Sequence, residues 1–267
     1  MCMIDSVYNE GGSAPTEFDP RKIKYNSDGV PVWSAREIEA VANELLQKYC
    51  PDVLRKPSMT PVIEIIQQLG KRTGLLFAME DLGFKGTAKV LGKVNFDKKT
   101  LYLDVSLESE IAPAFRFTAA HEIGHWVLHR YNYKNWSFQS QNETNGDLQD
   151  DDGTLCRLED RTQSDWLEFQ ANVFAASLVM PREMFVVALK KTQMAIGINK
   201  NIGRIYLSPA PYSRRDYETI VNQLAQVFHV SKKSVRVRAK TLQLVEGEDR
   251  DDGKISQINP FTILTAL

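Results

Sequence analysis

The segment from Phe117 to His129 constrains this 267-residue chain more than any other part of it. It contains the pattern His-Glu-x-x-His, which begins at His121 and ends at His125. Its apolar residues recur at helical spacing, and residues i and i+4 of a helix lie on one face, so the two histidines can bind a single metal ion. Glu122 would then lie beside the metal, where it could take a proton from a water molecule. The pattern therefore predicts a metal-dependent hydrolytic site on a helix.

The surroundings of this helix support that interpretation. The helix is expected to begin near Pro113, directly after a small antiparallel sheet whose strands are predicted at residues 74–79, 88–94 and 100–105. The apolar residues cover a little over a third of the helix at about 100° per residue, which puts the histidines at the border of a buried face. Gly124 would let another backbone approach the metal side closely. The alternative interpretation is that the two histidines are core residues paired with nearby polar groups. That interpretation does not account for the position of the motif on a helix directly after a sheet.

Composition narrows the class of protein. Hydrophobic residues make up 43% of the chain and charged residues 25%, and the formal net charge is −1. These values are ordinary for a soluble protein and provide no overall field for nucleic acid or membranes. The three cysteines are scattered and odd in number, which argues against a disulfide framework. The chain shows neither a signal peptide nor an apolar run near the roughly 20 residues that span a bilayer, so we expect a cytoplasmic protein without a membrane partner.

A catalytic zinc ion needs a third protein ligand and an open position. Glu168 is the better candidate, because it lies at the edge of the apolar face of a second predicted helix. Asp165 and Glu183 remain alternatives, and Glu168 could also be a surface carboxylate. His129 lies about 12 Å along the helix axis from His121, too far to share one ion, so we expect it to support the helix end or a ligand.

The chain divides into four parts on composition and periodicity. Residues 1–33 form a lead-in, 34–190 the domain that contains the site, 191–245 a helical region, and 246–267 a tail. Within the second part, residues 131–165 carry eight acidic and three basic residues without clear periodicity. A connector of this length is expected to be a mobile insertion or a functional cover.

The helical region near the C-terminus has two interpretations. Residues 217–228 and 231–242 look like two helices joined by a tight turn, as in a helix-turn-helix. The first interpretation is DNA contact through Lys232, Lys233 and Arg236. The second, which we favour, is a hairpin that packs on the catalytic domain or docks its substrate.

Two segments resemble the ImmA/IrrE family of metallopeptidases. Residues 116–125 read Arg-Phe-Thr-Ala-Ala-His-Glu-Ile-Gly-His, and residues 168–181 read Glu-Phe-Gln-Ala-Asn-Val-Phe-Ala-Ala-Ser-Leu-Val-Met-Pro. The resemblance covers roughly residues 30–190 and implies that His121, His125 and Glu168 bind zinc while Glu122 is the general base. It also implies an α+β, zincin-like catalytic domain, with the small sheet packed on the His-Glu-x-x-His helix and the Glu168 helix, followed by the C-terminal hairpin.

The resemblance further implies a function in gene regulation. Members of this family cut helix-turn-helix transcriptional repressors, or relieve their action, in mobile elements and stress responses. We therefore expect a zinc-dependent endopeptidase whose partner is such a repressor. The alternative is a non-catalytic antirepressor, or a DNA- or protein-binding regulator with a metal-stabilised fold. The general base favours the first, because a structural zinc ion needs none.

Two finer expectations concern the substrate. An extended peptide is expected to pair with the predicted strand that contains Tyr102. The donor that stabilises the oxyanion is not named by the sequence, and Tyr102, His129 and Asn172 are candidates.

Overall fold

The computed structural model describes residues 24–25, 31–107, 109–131, 133, 142–145 and 163–247. These residues form seven α-helices and several short strands. The helices are α1 (Ala35–Tyr49), α2 (Val62–Thr73), α3 (Pro113–His129), α4 (Gln163–Val179), α5 (Arg182–Ala195), α6 (Pro211–Phe228) and α7 (Lys232–Thr241). The strands are β1 (Lys24–Tyr25), β2 (Pro31–Val32), β3 (Leu76–Glu80), β4 (Phe84–Lys85), β5 (Ala88–Asn95), β6 (Thr100–Asp104), β7 (Asn142–Asn145), β8 (Ile205–Tyr206) and β9 (Val245–Glu246). The α+β class predicted from the sequence is confirmed.

Local sequence signals start several helices. Ser34 caps α1 in a reciprocal capping box with Glu37, whose carboxylate accepts from the Ser34 amide at 2.7 Å. Pro113 opens α3, where a missing N–H costs nothing. Thr60 could have capped α2, but its hydroxyl donates to the Leu178 carbonyl of α4 at 2.9 Å. The Thr60 hydroxyl therefore forms a long-range hydrogen bond and does not cap α2.

The main sheet has the order β3-β6-β5-β4, and β7 also pairs with β5. The expectation of a wholly antiparallel sheet is wrong, because β3 runs parallel to β6. The hairpin of β5 and β6 folds back so that β6 lies between β5 and β3. Strand order of this kind is set by long-range packing, and the alternation of side chains along a strand does not report it.

This order also excludes the expected position of a substrate strand. Tyr102 lies on β6, whose two edges are already paired with β3 and β5. A peptide therefore cannot pair its main chain with β6. β5 is paired with β6 on one edge and with β7 on the other, and β7 belongs to the acidic connector, most of which lies outside the described residues.

Helix α3 occupies the centre of the core. Its residues from Phe115 to His129 are buried, except for the half-buried Phe117. The expectation of a single buried face is therefore wrong, because α3 packs against α2, α4, β5 and β6 together. Among the described residues, no single helix is long and apolar enough to cross a membrane, although the bent pair Ser164–Val179 and Arg182–Ala195 passes on length and composition.

The C-terminal helices join the same core. The Arg116 side chain of α3 donates to the His229 carbonyl at 3.1 Å, and the Phe185 ring of α5 stacks on the Phe228 ring of α6 with centroids 6.0 Å apart. Arg238 of α7 is 1% exposed and lies 2.8 Å from the Glu39 carboxylate of α1. The hairpin of α6 and α7 is thus held against α1, α3 and α5, and α3 is the helix that carries the two predicted histidine ligands.

Candidate metal centre

Helices α3 and α4 bring His121, His125 and Glu168 together. The Nε2 atoms of the two histidines are 2.9 Å apart. The Glu168 carboxylate lies 3.0 Å from His121 Nε2 and 3.4 Å from His125 Nε2. Potential ligand atoms of the three residues lie within 4.8 Å of one another. The structure therefore places these three predicted ligands around a single point.

Gly124 makes this approach of the two helices possible. A β-carbon at Gly124 would lie 3.2 Å from the Ala171 carbonyl oxygen and 3.1 Å from the Phe174 ring. Both neighbours belong to α4 and are buried, so they have little room to give way. The sequence-based expectation that another backbone approaches at Gly124 agrees with this contact.

The outer nitrogens of the histidines also have defined partners. His121 Nδ1 lies 2.9 Å from Asn172 Oδ1, and a carbonyl oxygen can only accept. His121 therefore donates from Nδ1, and in the neutral ring this leaves a lone pair on Nε2 at the centre of the cluster. His125 Nδ1 lies 3.1 Å from His129 Nδ1.

The donor set fits a metal ion. The lone pair on His121 Nε2 and the carboxylate oxygens of Glu168 point at the same region, where a cation would satisfy them. Two imidazoles and one carboxylate are a ligand set of catalytic zinc sites, in which a fourth position stays open. The side chain of Glu168 is 30% exposed while that of each histidine is 1% exposed, so access to the cluster is from the Glu168 side.

The electrostatics of the metal-free cluster follow from burial and from one carboxylate. Burial lowers the pKa of His121. Without a metal ion, however, the charged ring has a second proton on Nε2, and its hydrogen bond to Glu168 and the charge of Glu168 outweigh burial and raise that pKa overall. For His125, burial dominates over Glu168 and lowers the pKa. Burial by itself raises the pKa of Glu168, yet His125 and His121 together lower it well below its usual value. Glu168 is therefore ionised at neutral pH, as a metal ligand must be.

Glu122 lies directly under β5. Its side chain is fully buried, and a β-carbon on Gly92 of β5 would lie 2.8 Å from Glu122 Oε1 and 2.7 Å from the Thr118 methyl group. Only glycine leaves room for this carboxylate beneath the strand. The sequence analysis missed the role of Gly92, although an isolated glycine inside a strand is a known signal of close approach.

The other candidates lie outside the cluster. Asp165 is exposed on the first turn of α4, and Glu183 is exposed on α5. His129 is fully buried behind His125, in agreement with its predicted supporting position. Asn172 accepts from His121, and Tyr102 lies beneath the Lys93 ammonium group at 5.2 Å from its ring centre. These contacts give Asn172 and Tyr102 other partners than an oxyanion.

The basic residues of the hairpin differ in their exposure. Lys232 and Lys233 are exposed. Arg236 forms an ion pair with Glu218 of α6 at 2.8 Å, so one of the three predicted DNA contacts is held within the hairpin. Arg238 is buried against α1. Packing on the catalytic region is thus observed.

One comparison with known proteins identifies the family. No curated protein matches the chain. The model of the M78 peptidase family, described as an IrrE N-terminal-like domain, matches residues 85–240 and so covers more than half of the chain. This region includes α3, α4 and the hairpin of α6 and α7. The resemblance to ImmA/IrrE proteins is therefore confirmed, and the chain belongs to the M78 family of metallopeptidases, with the IrrE N-terminal-like domain.

Proposed function

We propose that the protein is a zinc-dependent endopeptidase. The observation that carries this proposal is the convergence of His121, His125 and Glu168. Glu122, which follows His121 in the sequence, is buried beneath β5. A structural zinc site is closed by four ligands and has no use for a further carboxylate. Here three ligands leave a position for water or substrate.

The chain's own residues would divide the work as follows. His121, His125 and Glu168 would hold the zinc ion. A zinc ion bound there would supply Lewis acidity, which would polarise a peptide carbonyl and make a water molecule more acidic. Glu122 takes the proton of the attacking water and delivers it to the nitrogen of the leaving amine. The new C–O bond forms first, and the peptide C–N bond then breaks as the nitrogen receives the proton, so one water molecule is consumed for each bond cut.

We further propose a helix-turn-helix transcriptional repressor as the substrate, in regulatory proteolysis of a mobile element or stress response. The support is the family resemblance of the two motif segments. The packing of α6 and α7 on the catalytic region leaves Lys232 and Lys233 exposed, which is compatible with docking of another protein. A repressor encoded beside the gene for this protein is the first candidate.

The test compares wild type with Glu122→Gln on that repressor. Both proteins are brought to the same folded fraction and the same zinc content, and cleavage is followed by mass spectrometry of the products. We expect the variant to cut about 10²- to 10⁴-fold more slowly, which is the usual contribution of a general base. Undiminished cleavage by Glu122→Gln would exclude this mechanism. Tight repressor binding without cleavage by the zinc-loaded wild type would favour the antirepressor alternative.

A further inference from the structure

A chain of buried hydrogen bonds leads from His125 away from the metal centre. His125 Nδ1 lies 3.1 Å from His129 Nδ1, and His129 Nε2 lies 3.1 Å from Gln170 Oε1. The Gln170 amide nitrogen then donates to the Pro31 carbonyl of β2 at 2.7 Å. His129 is fully buried, and Gln170 is 2% exposed. The chain connects three separate elements, α3, α4 and β2, at the back of the cluster.

The last link determines the direction of every other one. The Pro31 carbonyl can only accept, so Gln170 must present its NH₂ group there and its oxygen to His129. That oxygen can only accept, so His129 donates from Nε2. A neutral imidazole has one N–H, which leaves a lone pair on His129 Nδ1. His125 must then donate from Nδ1, and its own lone pair lies on Nε2, which faces the cluster.

We propose that His129 and Gln170 are positioning residues that hold His125 in the tautomer able to bind the metal ion. The inference rests on the metal site of the proposed function, but not on peptide cleavage. Asn172 does the same for His121 in one step. His125 needs a longer route because the next side chain on its outer side, one helical turn away, is another histidine, which can donate or accept. The fixed orientation of Gln170 removes that ambiguity.

This arrangement differs from a simple packing role in what it predicts. A histidine free to exchange tautomers would spend part of its time with a proton on Nε2, where it cannot bind metal. Holding the proton on Nδ1 also fixes the ring orientation and makes the ligand more basic. Loss of such an outer partner typically lowers metal affinity by about 10- to 100-fold. The strand β2, which belongs to the predicted N-terminal lead-in, thereby acts on the metal centre through the Pro31 carbonyl.

The first experiment needs no mutation. Nitrogen NMR of histidine-labelled full-length protein reads the tautomer of each ring at about pH 8, where ordinary histidines are neutral. We expect His125 to carry its proton on Nδ1 and His129 on Nε2, in both metal-free and zinc-loaded protein. A proton on His125 Nε2 or on His129 Nδ1 would overturn the proposal, whether or not the protein cleaves any peptide.

The second experiment removes the acceptor. Gln170→Leu keeps a side chain of similar size but cannot accept from His129. We expect the zinc dissociation constant, measured by competition with a chromophoric chelator, to rise about 10- to 100-fold. The NMR spectrum should show a second population of His125 with its proton on Nε2.

Ser177→Ala is the matched control. Ser177 is 1% exposed on the same helix, and its hydroxyl donates to the Val173 carbonyl within α4. Its zinc affinity is expected to equal that of wild type, which separates the hydrogen-bond chain from general weakening of α4. Wild-type tautomers and zinc affinity in Gln170→Leu would overturn the proposal. If wild type binds no zinc, the proposed function fails, while the tautomers of the metal-free protein still test this inference.

Discussion

Two helix pairs carry the polar residues that the sequence singles out, and these residues differ in burial between the two pairs. In the pair of α3 and α4, polar side chains meet one another inside the protein, so that His121, His125 and Glu168 converge within 4.8 Å. In the pair of α6 and α7, most basic side chains face solvent. Arg238 is the buried basic residue of α7, with 1% of its surface exposed. Both pairs have apolar positions at helical spacing, yet only the first gathers ligands.

The difference shows that burial decides whether a polar side chain must adopt one orientation with one partner inside the protein. A buried polar group must find a partner inside the protein, because an unpaired one costs several kilocalories per mole. Each histidine of α3 therefore has a fixed orientation. An exposed lysine such as Lys232 is satisfied by water, so it does not have to adopt one geometry. The comparison can be tested by removing buried and exposed groups in turn.

The largest effect is expected at Glu168. Glu168→Ala removes the proposed ligand on α4, so zinc bound per chain should fall from stoichiometric to a small fraction. The loss of affinity should exceed the about 10- to 100-fold that removal of an outer partner costs. Metal analysis after dialysis measures this. The control is Asp165→Ala, an exposed carboxylate on the first turn of the same helix, and retention of stoichiometric zinc by Glu168→Ala would remove Glu168 from the site.

Arg238 should show the next largest effect, on stability. Its side chain lies 2.8 Å from the Glu39 carboxylate and donates to the Met180 carbonyl at 3.2 Å. Arg238→Met removes one of the two arginines that form ion pairs with the buried Glu39 carboxylate, and Arg182 remains as its partner. The free energy of unfolding should fall by about 3 kcal/mol.

Arg236→Met is the matched control for that measurement. Arg236 pairs with Glu218 at 2.8 Å, and its side chain is 32% exposed. Urea denaturation should show a loss of about 0–1 kcal/mol for this variant. Equal losses in the two variants would show that burial does not distinguish the two ion pairs.

Gly92→Ala tests the close approach of β5 to the Glu122 carboxylate. Its new methyl group would meet Glu122 Oε1 and the Thr118 methyl group below 3 Å, so β5 or the Glu122 side chain must shift. Cleavage should fall by about 10- to 100-fold, because a displacement near 1 Å is enough for such a loss, while zinc content should not change. Lys93→Ala, at the next position of β5 with its side chain on the opposite face, is the control. Unchanged cleavage by Gly92→Ala would show that the strand adapts.

The smallest effect is expected for the exposed lysines. The double substitution Lys232→Ala and Lys233→Ala should change the free energy of unfolding by less than about 0.5 kcal/mol. If the hairpin serves packing, binding to duplex DNA should be weak in both wild type and variant, as measured by fluorescence anisotropy at several salt concentrations. Tight binding with a steep salt dependence in wild type, lost in the variant, would assign a DNA-binding role to α7.

Much of the local structure follows from the sequence. The capping box at Ser34, the proline that opens α3 and the serine that caps α7 each act over three or four residues, so their signals are complete within the segment. The face of α3 that carries both histidines follows from helix geometry alone. The position of Glu168 at the edge of the apolar face of the second predicted helix, together with the family resemblance of two short segments, added it to that pair.

What the sequence did not predict involves partners that are far apart in the chain. Gln170 and Pro31 are separated by 139 positions, and the bond between them sets the direction of the hydrogen bonds behind His125. The parallel pairing of β3 with β6, the burial of α3 on all sides and the diversion of the Thr60 hydroxyl to α4 are of the same kind.

The sequence by itself thus determined which residues can share a helix face, where helices begin and which side chains can bind a metal ion, because these depend on covalent geometry and short-range hydrogen bonds. Only the tertiary structure decided which edges of the sheet are covered, which arginine is buried and which nitrogen of His125 faces the cluster. Those outcomes depend on competition between distant groups for the same buried donors and acceptors, and that competition is settled only when the core is packed.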